Sequence, residues 1–226
     1  MERETMSDLK IGRMVLGTVG TNTYFVYREG AQECIVIDPA DYGRQIYANL
    51  NKNNLRTAGI LLTHGHFDHI WGVEGLRAAA NEVAEHHSYP VVKVYACEAE
   101  REILGSARKN VSESAGRACT VDADEYVKDG EVIEIAGIAC RVIATPGHTE
   151  GGCCFYFEEA GFCVCGDTIF QESVGRTDLP TGSMGTLVRS IKEKLFVLPE
   201  ETQLYPGHGD STTVGHEKKY NPFCGD

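Results

Sequence analysis

The chain has 226 residues, 21 of them basic and 33 acidic, for a formal net charge of −12. With 42% hydrophobic and 24% charged residues it has an ordinary globular composition, which excludes a disordered, collagen-like or coiled-coil chain. No apolar run approaches the roughly 20 residues of a membrane span. The acidic field disfavours nucleic acid and anionic membrane surfaces as partners. Residues 1–10 are mixed in charge and no signal-peptide core follows them, so a cytoplasmic location is expected. The nine cysteines include no C-x-x-C pair. They read as free thiols in a reducing compartment, with Cys153-Cys154 and Cys163-x-Cys165 as small buried hydrophobes in strands rather than a thiolate metal site.

In chain order, residues 14–19 and 23–27 are short β-like runs, split by a predicted turn at Gly20-Thr21-Asn22. A strand over 33–37 stops at Asp38-Pro39, and a helix over 42–53 follows with Asp41 as its expected N-cap. A short apolar strand at 59–63 runs into a histidine-rich turn, then a helix over 73–85 and a buried strand over 91–96. Residues 98–104 suit a short helix. The polar stretch 106–124 is a lid or a surface excursion. Residues 131–135 and 138–144 form a predicted hairpin turning at Ala136-Gly137, and 153–157 with 162–165 a second. A helix over 184–195 and a last strand over 203–205 complete the pattern. No linker or repeat interrupts it, so residues 1–226 read as one domain: two sheets packed together with helices outside, an α+β sandwich.

The histidines carry the chemistry. Three of the eight fall in Thr63-His64-Gly65-His66-Phe67-Asp68-His69. Two more sit in turns after strands, Thr145-Pro146-Gly147-His148-Thr149 and Tyr205-Pro206-Gly207-His208-Gly209, and Gly166-Asp167-Thr168 also follows a strand. In extended backbone, residues i and i+2 point to the same side, so His64 and His66 can grip one cation together. Asp68 and His69 come as the chain turns into a helix and can serve a second cation. His148 then completes the first site and His208 the second, while Asp167, with two oxygens, can bridge. An all-nitrogen and oxygen ligand set with open positions is what a catalytic metal requires. It suits two divalent ions, with zinc expected and iron or manganese equally compatible with the donors. Two cations about 3.5–4 Å apart can share a hydroxide.

These motifs, in this order, resemble the metallo-β-lactamase-fold superfamily across nearly the whole chain, up to Asn221-Pro222-Phe223. The resemblance implies a four-layer αβ/βα sandwich with the metals at the edge of the two sheets. Within the superfamily the chain is most similar to the glyoxalase II group of hydroxyacylglutathione hydrolases. The likeness lies in Gly166-Asp167-Thr168-Ile169-Phe170 and Gly175-Arg176-Thr177-Asp178-Leu179-Pro180, and in residues 98–110; it points to the shorter bacterial members. It implies His64, His66 and His148 at one site, Asp68, His69 and His208 at the other, and Asp167 between them. It also implies that a histidine at position 69 argues against a β-lactamase.

The expected reaction is hydrolysis of a small acyl thioester, with Asp68 orienting the attacking hydroxide or taking its proton. Full-length relatives add a helical, glutathione-binding C-terminal domain; only eighteen residues follow His208 here, so that domain is expected to be missing and the thiol carrier stays open. Lys218, Lys219 and Tyr220 are candidates to hold an anionic substrate, or else a solvated helix face. Arg176 is a weaker substrate candidate, since Arg176 and Asp178 read better as a structural pair. The alternative activity is a persulfide dioxygenase of the same fold, by resemblance a one-iron enzyme using His64, His66, His148 and Asp167. A protein that has lost activity would lack ligands, and all seven positions are filled.

Overall fold

A computed structural model describes residues 8–225. Residues 1–7, within the mixed-charge start of the chain, lie outside them. The first sheet is built from β1 (Leu9–Leu16), β2 (Thr21–Arg28) and β3 (Glu33–Ile37). After α1 (Gly43–Lys52) comes β4 (Arg56–Leu62), then the one-turn α2 (Phe67–Ile70), α3 (Val73–His87) and β5 (Lys93–Cys97). A 3-10 turn at Glu98–Glu100 leads into α4 (Arg101–Leu104), and β6 (Glu125–Val127) closes the half. The six strands lie in chain order, antiparallel from β1 to β3 and parallel from β3 to β6.

The second half follows with β7 (Val132–Ile135), β8 (Ile138–Ala144), β9 (Cys153–Phe157) and β10 (Phe162–Gly166). A small ribbon, β11 (Ile169–Phe170) and β12 (Ser173–Val174), precedes α5 (Met184–Ser190). Last come β13 (Gln203–Pro206), β14 (Thr212–Thr213) and α6 (Val214–Tyr220). The second sheet has the order β14-β13-β10-β9-β8-β7, with β10 and β13 parallel.

Three apolar cores account for four layers. Between the sheets, Val26, Ile35, Ile37 and Leu61 meet Ile133, Phe155, Phe157 and Val164. Outside the first sheet, Ile46, Leu50, Leu76 and Ala80 of α1 and α3 cover Val36, Ile60 and Val94. Outside the second, Leu187, Ile191 and Leu195 cover Cys154, Cys163 and Leu204. Alternation along each strand serves two cores at once, which is why the expected αβ/βα sandwich forms.

Several local expectations shift. The first turn lies at residues 17–20, with Gly17 and Gly20 at positive φ, while Thr21 and Asn22 are strand residues held by long-range bonds described below. Asp41 does not cap α1: Tyr42 occupies the cap position in left-handed backbone, and the Asp41 carboxylate accepts from the Tyr42 N–H and from Arg117. The helix from Met184 loosens into a π turn over Ile191–Leu195. Among the described residues no helix is long and apolar enough to cross a membrane.

The polar stretch 106–124 is a pinned excursion. The Asn110 carbonyl accepts from the N–H of Phe67 at the start of α2, and Trp71 Nε1 donates to the Arg117 carbonyl. The Arg117 guanidinium stacks 4.1 Å over the Trp71 ring.

Candidate metal centre

Parallel strands deliver their C-terminal ends to one edge of a sheet, and the loops there carry polar groups on a rigid base. Here that edge collects every predicted ligand. His64 and His66 follow β4, His148 follows β8, Asp167 follows β10 and His208 follows β13. Asp68 and His69 ride on α2, which starts directly after His66.

The seven side chains gather as two trios. His64, His66 and His148 have donor atoms within 4.8 Å of one another, and so do Asp68, His69 and His208. Asp167 stands between them, with Oδ2 3.6 Å from His148 Nε2 and from His208 Nε2, and Oδ1 3.4 Å from His69 Nε2. Asp68 Oδ2 lies 3.2 Å from His208 Nε2 and 3.6 Å from His69 Nε2.

Hydrogen bonds behind the rings set where the lone pairs point. A carbonyl can only accept, so His148 Nδ1 donates to the Arg176 carbonyl at 2.7 Å and its Nε2 is left as a lone pair. Thr63 donates its hydroxyl to the Asp38 carboxylate and accepts from His64 Nδ1, so His64 Nε2 is also a lone pair. These two nitrogens face each other at 3.3 Å. His69 Nδ1 donates to Asp38 Oδ2 at 2.8 Å, which turns its Nε2 toward Asp68 and Asp167, both acceptors. His69 Nε2 and Asp167 Oδ1 are buried without a hydrogen-bond partner. Acceptors converging on acceptors in a buried place are unfavourable unless a cation lies among them. The donor set therefore fits a pair of divalent metal ions.

The titration behaviour agrees. Burial and the neighbouring imidazoles push His64 far below its usual value, and His66 down to about 3. Burial likewise lowers His148. Burial would lower His69 too, but Asp68, Asp167 and Asp38 overcome it and raise it strongly. Burial would raise Asp68 and Asp167, yet the imidazoles hold both low, His69 foremost. A cation can replace the proton that this cluster otherwise attracts.

Sequence reading missed the groups behind the ligands. Asp38 at the end of β3 reads as a strand stop; its place on the same strand-end edge as Asp167 was the available signal. Thr63, Thr21, Asn22 and Glu100 gave no such signal. Arg176 contributes its carbonyl, whereas its exposed side chain is engaged twice, at 2.7 Å, by Asp178. Lys218 pairs with Glu200 and Lys219 lies over Tyr220; neither they nor Tyr220 touch the seven ligands in any contact of the described residues. Cys165 packs in the core under α5, where Cys154, Cys163 and Cys165 cluster. Cys154 and Cys165 find neutral oxygen partners there, so buried hydrophobe is the better account. A groove of about 770 Å³, lined by Phe25, Tyr27, Gln32, Leu50 and Leu55, lies at the N-terminal ends of β3 and β4, opposite the centre.

Residues 16–208 match the model of the metallo-beta-lactamase superfamily. The chain belongs to this superfamily. It is similar to a probable metallo-hydrolase of Streptococcus pyogenes serotype M6, 35% identical over 95% of this chain and 90% of that protein. It is also similar to the hydroxyacylglutathione hydrolase GloC of Haemophilus influenzae, at 32% identity over 83% of this chain and 85% of GloC. Among solved structures, the BLEG-1 B3 metallo-beta-lactamase superposes with a TM-score of 0.86 at 33% identity, covering 95% of this chain and 99% of that one. TTHA1623 in a di-iron-bound form gives 0.77 at 32% identity, covering 94% and 99%. The chain is thus a metal-dependent hydrolase of the metallo-beta-lactamase superfamily.

Proposed function

We propose that the chain, taken as one hydrolase domain, cleaves a small acyl thioester of the hydroxyacylglutathione type at a dinuclear centre. One site is formed by His64, His66 and His148, the other by Asp68, His69 and His208, with Asp167 shared. The observation that carries the thioester class is the 32% identity to GloC along most of both chains. Two divalent ions bound there supply a water of lowered pKa and polarise the acyl oxygen. The chain's own residues do the rest. Asp68 Oδ2, fixed by the Thr21 hydroxyl at 2.8 Å, is placed to orient the attacking oxygen and to take its proton. The Asp38–His69 and Arg176 carbonyl–His148 bonds hold the imidazoles in one tautomer, so no reorientation accompanies attack.

The test is S-lactoylglutathione hydrolysis by zinc-loaded protein, followed by loss of thioester absorbance. Nine cysteines would confuse a thiol reagent, and this readout avoids one. Metal-dependent loss is expected; its absence overturns the thioester reading. The likeness to BLEG-1 favours a second reading, β-lactam hydrolysis, which a chromogenic cephalosporin tests in the same cuvette. A persulfide dioxygenase needs one iron, and the complete trio of Asp68, His69 and His208 favours a hydrolase over it. Oxygen uptake with glutathione persulfide separates the two.

A further inference from the structure

Glu100 is a buried carboxylate that the reaction above does not use. It is 1% exposed, and no ion pair engages it among the described residues. Its Oε1 accepts from the N–H of Gly65, between His64 and His66, at 2.8 Å. Its Oε2 accepts from the Thr149 hydroxyl, one residue past His148, at 3.0 Å. The fit is tight: a Cβ on Gly151 would fall 2.2 Å from the Glu100 nitrogen, so only glycine lets that loop approach. One carboxylate thus ties together the two loops that carry His64, His66 and His148.

The other trio has its own tie, from the end of β2. Thr21 donates to Asp68 Oδ2 at 2.8 Å. Asn22 donates through Nδ2 to the carbonyls of Pro206 and Gly209, each at 2.9 Å, and its backbone N–H donates to Gly207. Asn22 therefore grips the turn on both sides of His208. It is 2% exposed and comes from the other sheet. These two sets of bonds share no residue.

We propose that Glu100 and Asn22 are separate positioning residues, Glu100 setting the His64–His66–His148 site and Asn22 setting the Asp68–His69–His208 site. The proposal rests on the ligand assignment above. Its consequence is that the affinities of the two sites can be changed one at a time by residues that touch neither ion.

The experiment titrates metal-free protein with zinc in two backgrounds, each keeping one site. His208→Ala keeps the first site and His148→Ala the second. Glu100→Ala should weaken zinc binding about 10–100-fold in the first background and by less than threefold in the second; Asn22→Ala should do the reverse. Equal losses in both backgrounds, or none in either, overturn the proposal. Far-UV circular dichroism checks folding. Should an alanine variant unfold, Thr149→Val and Thr21→Val remove one hydrogen bond of each tie at constant shape. They should give smaller losses with the same site preference, and losses without that preference overturn the proposal. Wild-type protein that binds fewer than two zinc ions would instead overturn the ligand assignment itself.

Discussion

Replacing Asp38 by Asn tests how the centre sets its lone pairs. Asp38 is buried and accepts three bonds: from the Thr63 N–H at 2.8 Å, the Thr63 hydroxyl at 2.5 Å and His69 Nδ1 at 2.8 Å. In Asp38→Asn, the amide oxygen keeps the Thr63 N–H and the NH2 group faces His69 Nδ1. A donor now meets a donor, so the imidazole must carry its proton on Nε2, the atom aimed at Asp68 and Asp167. The lone pair meant for a cation is lost. Loss of such an orienting partner weakens metal binding about 10–100-fold, or about 1.4–2.7 kcal/mol. The Thr63 hydroxyl proton also loses its acceptor, which lowers the stability of metal-free protein by about 1–3 kcal/mol. Zinc titration against a chromophoric chelator reads the first effect and urea unfolding with chelator the second. Imidazole 15N spectra of the metal-free variant should show a neutral His69 protonated at Nε2. A second-site zinc affinity within threefold of wild type, or a His69 still protonated at Nδ1, would refute the tautomer argument.

Burial pushes the Glu100 carboxyl from 4.5 up to about 7, so the folded state holds a proton that the unfolded state has released. Its contribution to stability is greatest below about pH 4.5 and falls as pH rises through about 7, a span of about 3 kcal/mol; metal-free wild type should therefore lose that much relative to Glu100→Gln between pH 4.5 and 8 in urea titrations, and parallel profiles would contradict it. Because its carboxylate neighbours raise His69, zinc uptake by metal-free protein at neutral pH should release a proton from it. Calorimetry in buffers of different ionisation enthalpy reads this, and buffer-independent heats would argue against it. Asp167→Ala should abolish hydrolysis and lower bound zinc, since the one carboxylate between the trios is gone; full activity would sink the site assignment. Lys218→Ala with Lys219→Ala should leave kcat and KM unchanged, because one lysine pairs with Glu200 and the other lies over Tyr220; a raised KM would restore them as substrate contacts.

Local chemistry made most of the ligand set legible. The i, i+2 spacing of His64 and His66 follows from extended backbone alone, and strand–turn–His patterns around His148 and His208 mark strand ends by their Pro-Gly turns. Short apolar runs likewise foretold the 33–37 and 153–157 strands, which are buried almost throughout because both faces of their sheets are covered. The misplaced first turn shows where this fails. Thr21 and Asn22 look like turn residues by type, yet they are strand because Asp68 and the Pro206–Gly209 turn hold them across the two sheets.

The sequence by itself determined the strands and helices, the strand ends that carry polar groups and the ligand residues, since apolar patterning and spacing are properties of neighbouring residues. Tertiary structure alone decided which nitrogen of each imidazole is the lone pair and what holds the rings in place. The Asn22–Pro206 bond spans 184 residues and the Glu100–Thr149 bond 49, and such pairings depend on sheet packing and loop approach that no local pattern encodes. Asp38 and Glu100 are therefore ordinary acids in the chain and become an orienting base and a tie only where parallel strands bring their ends together.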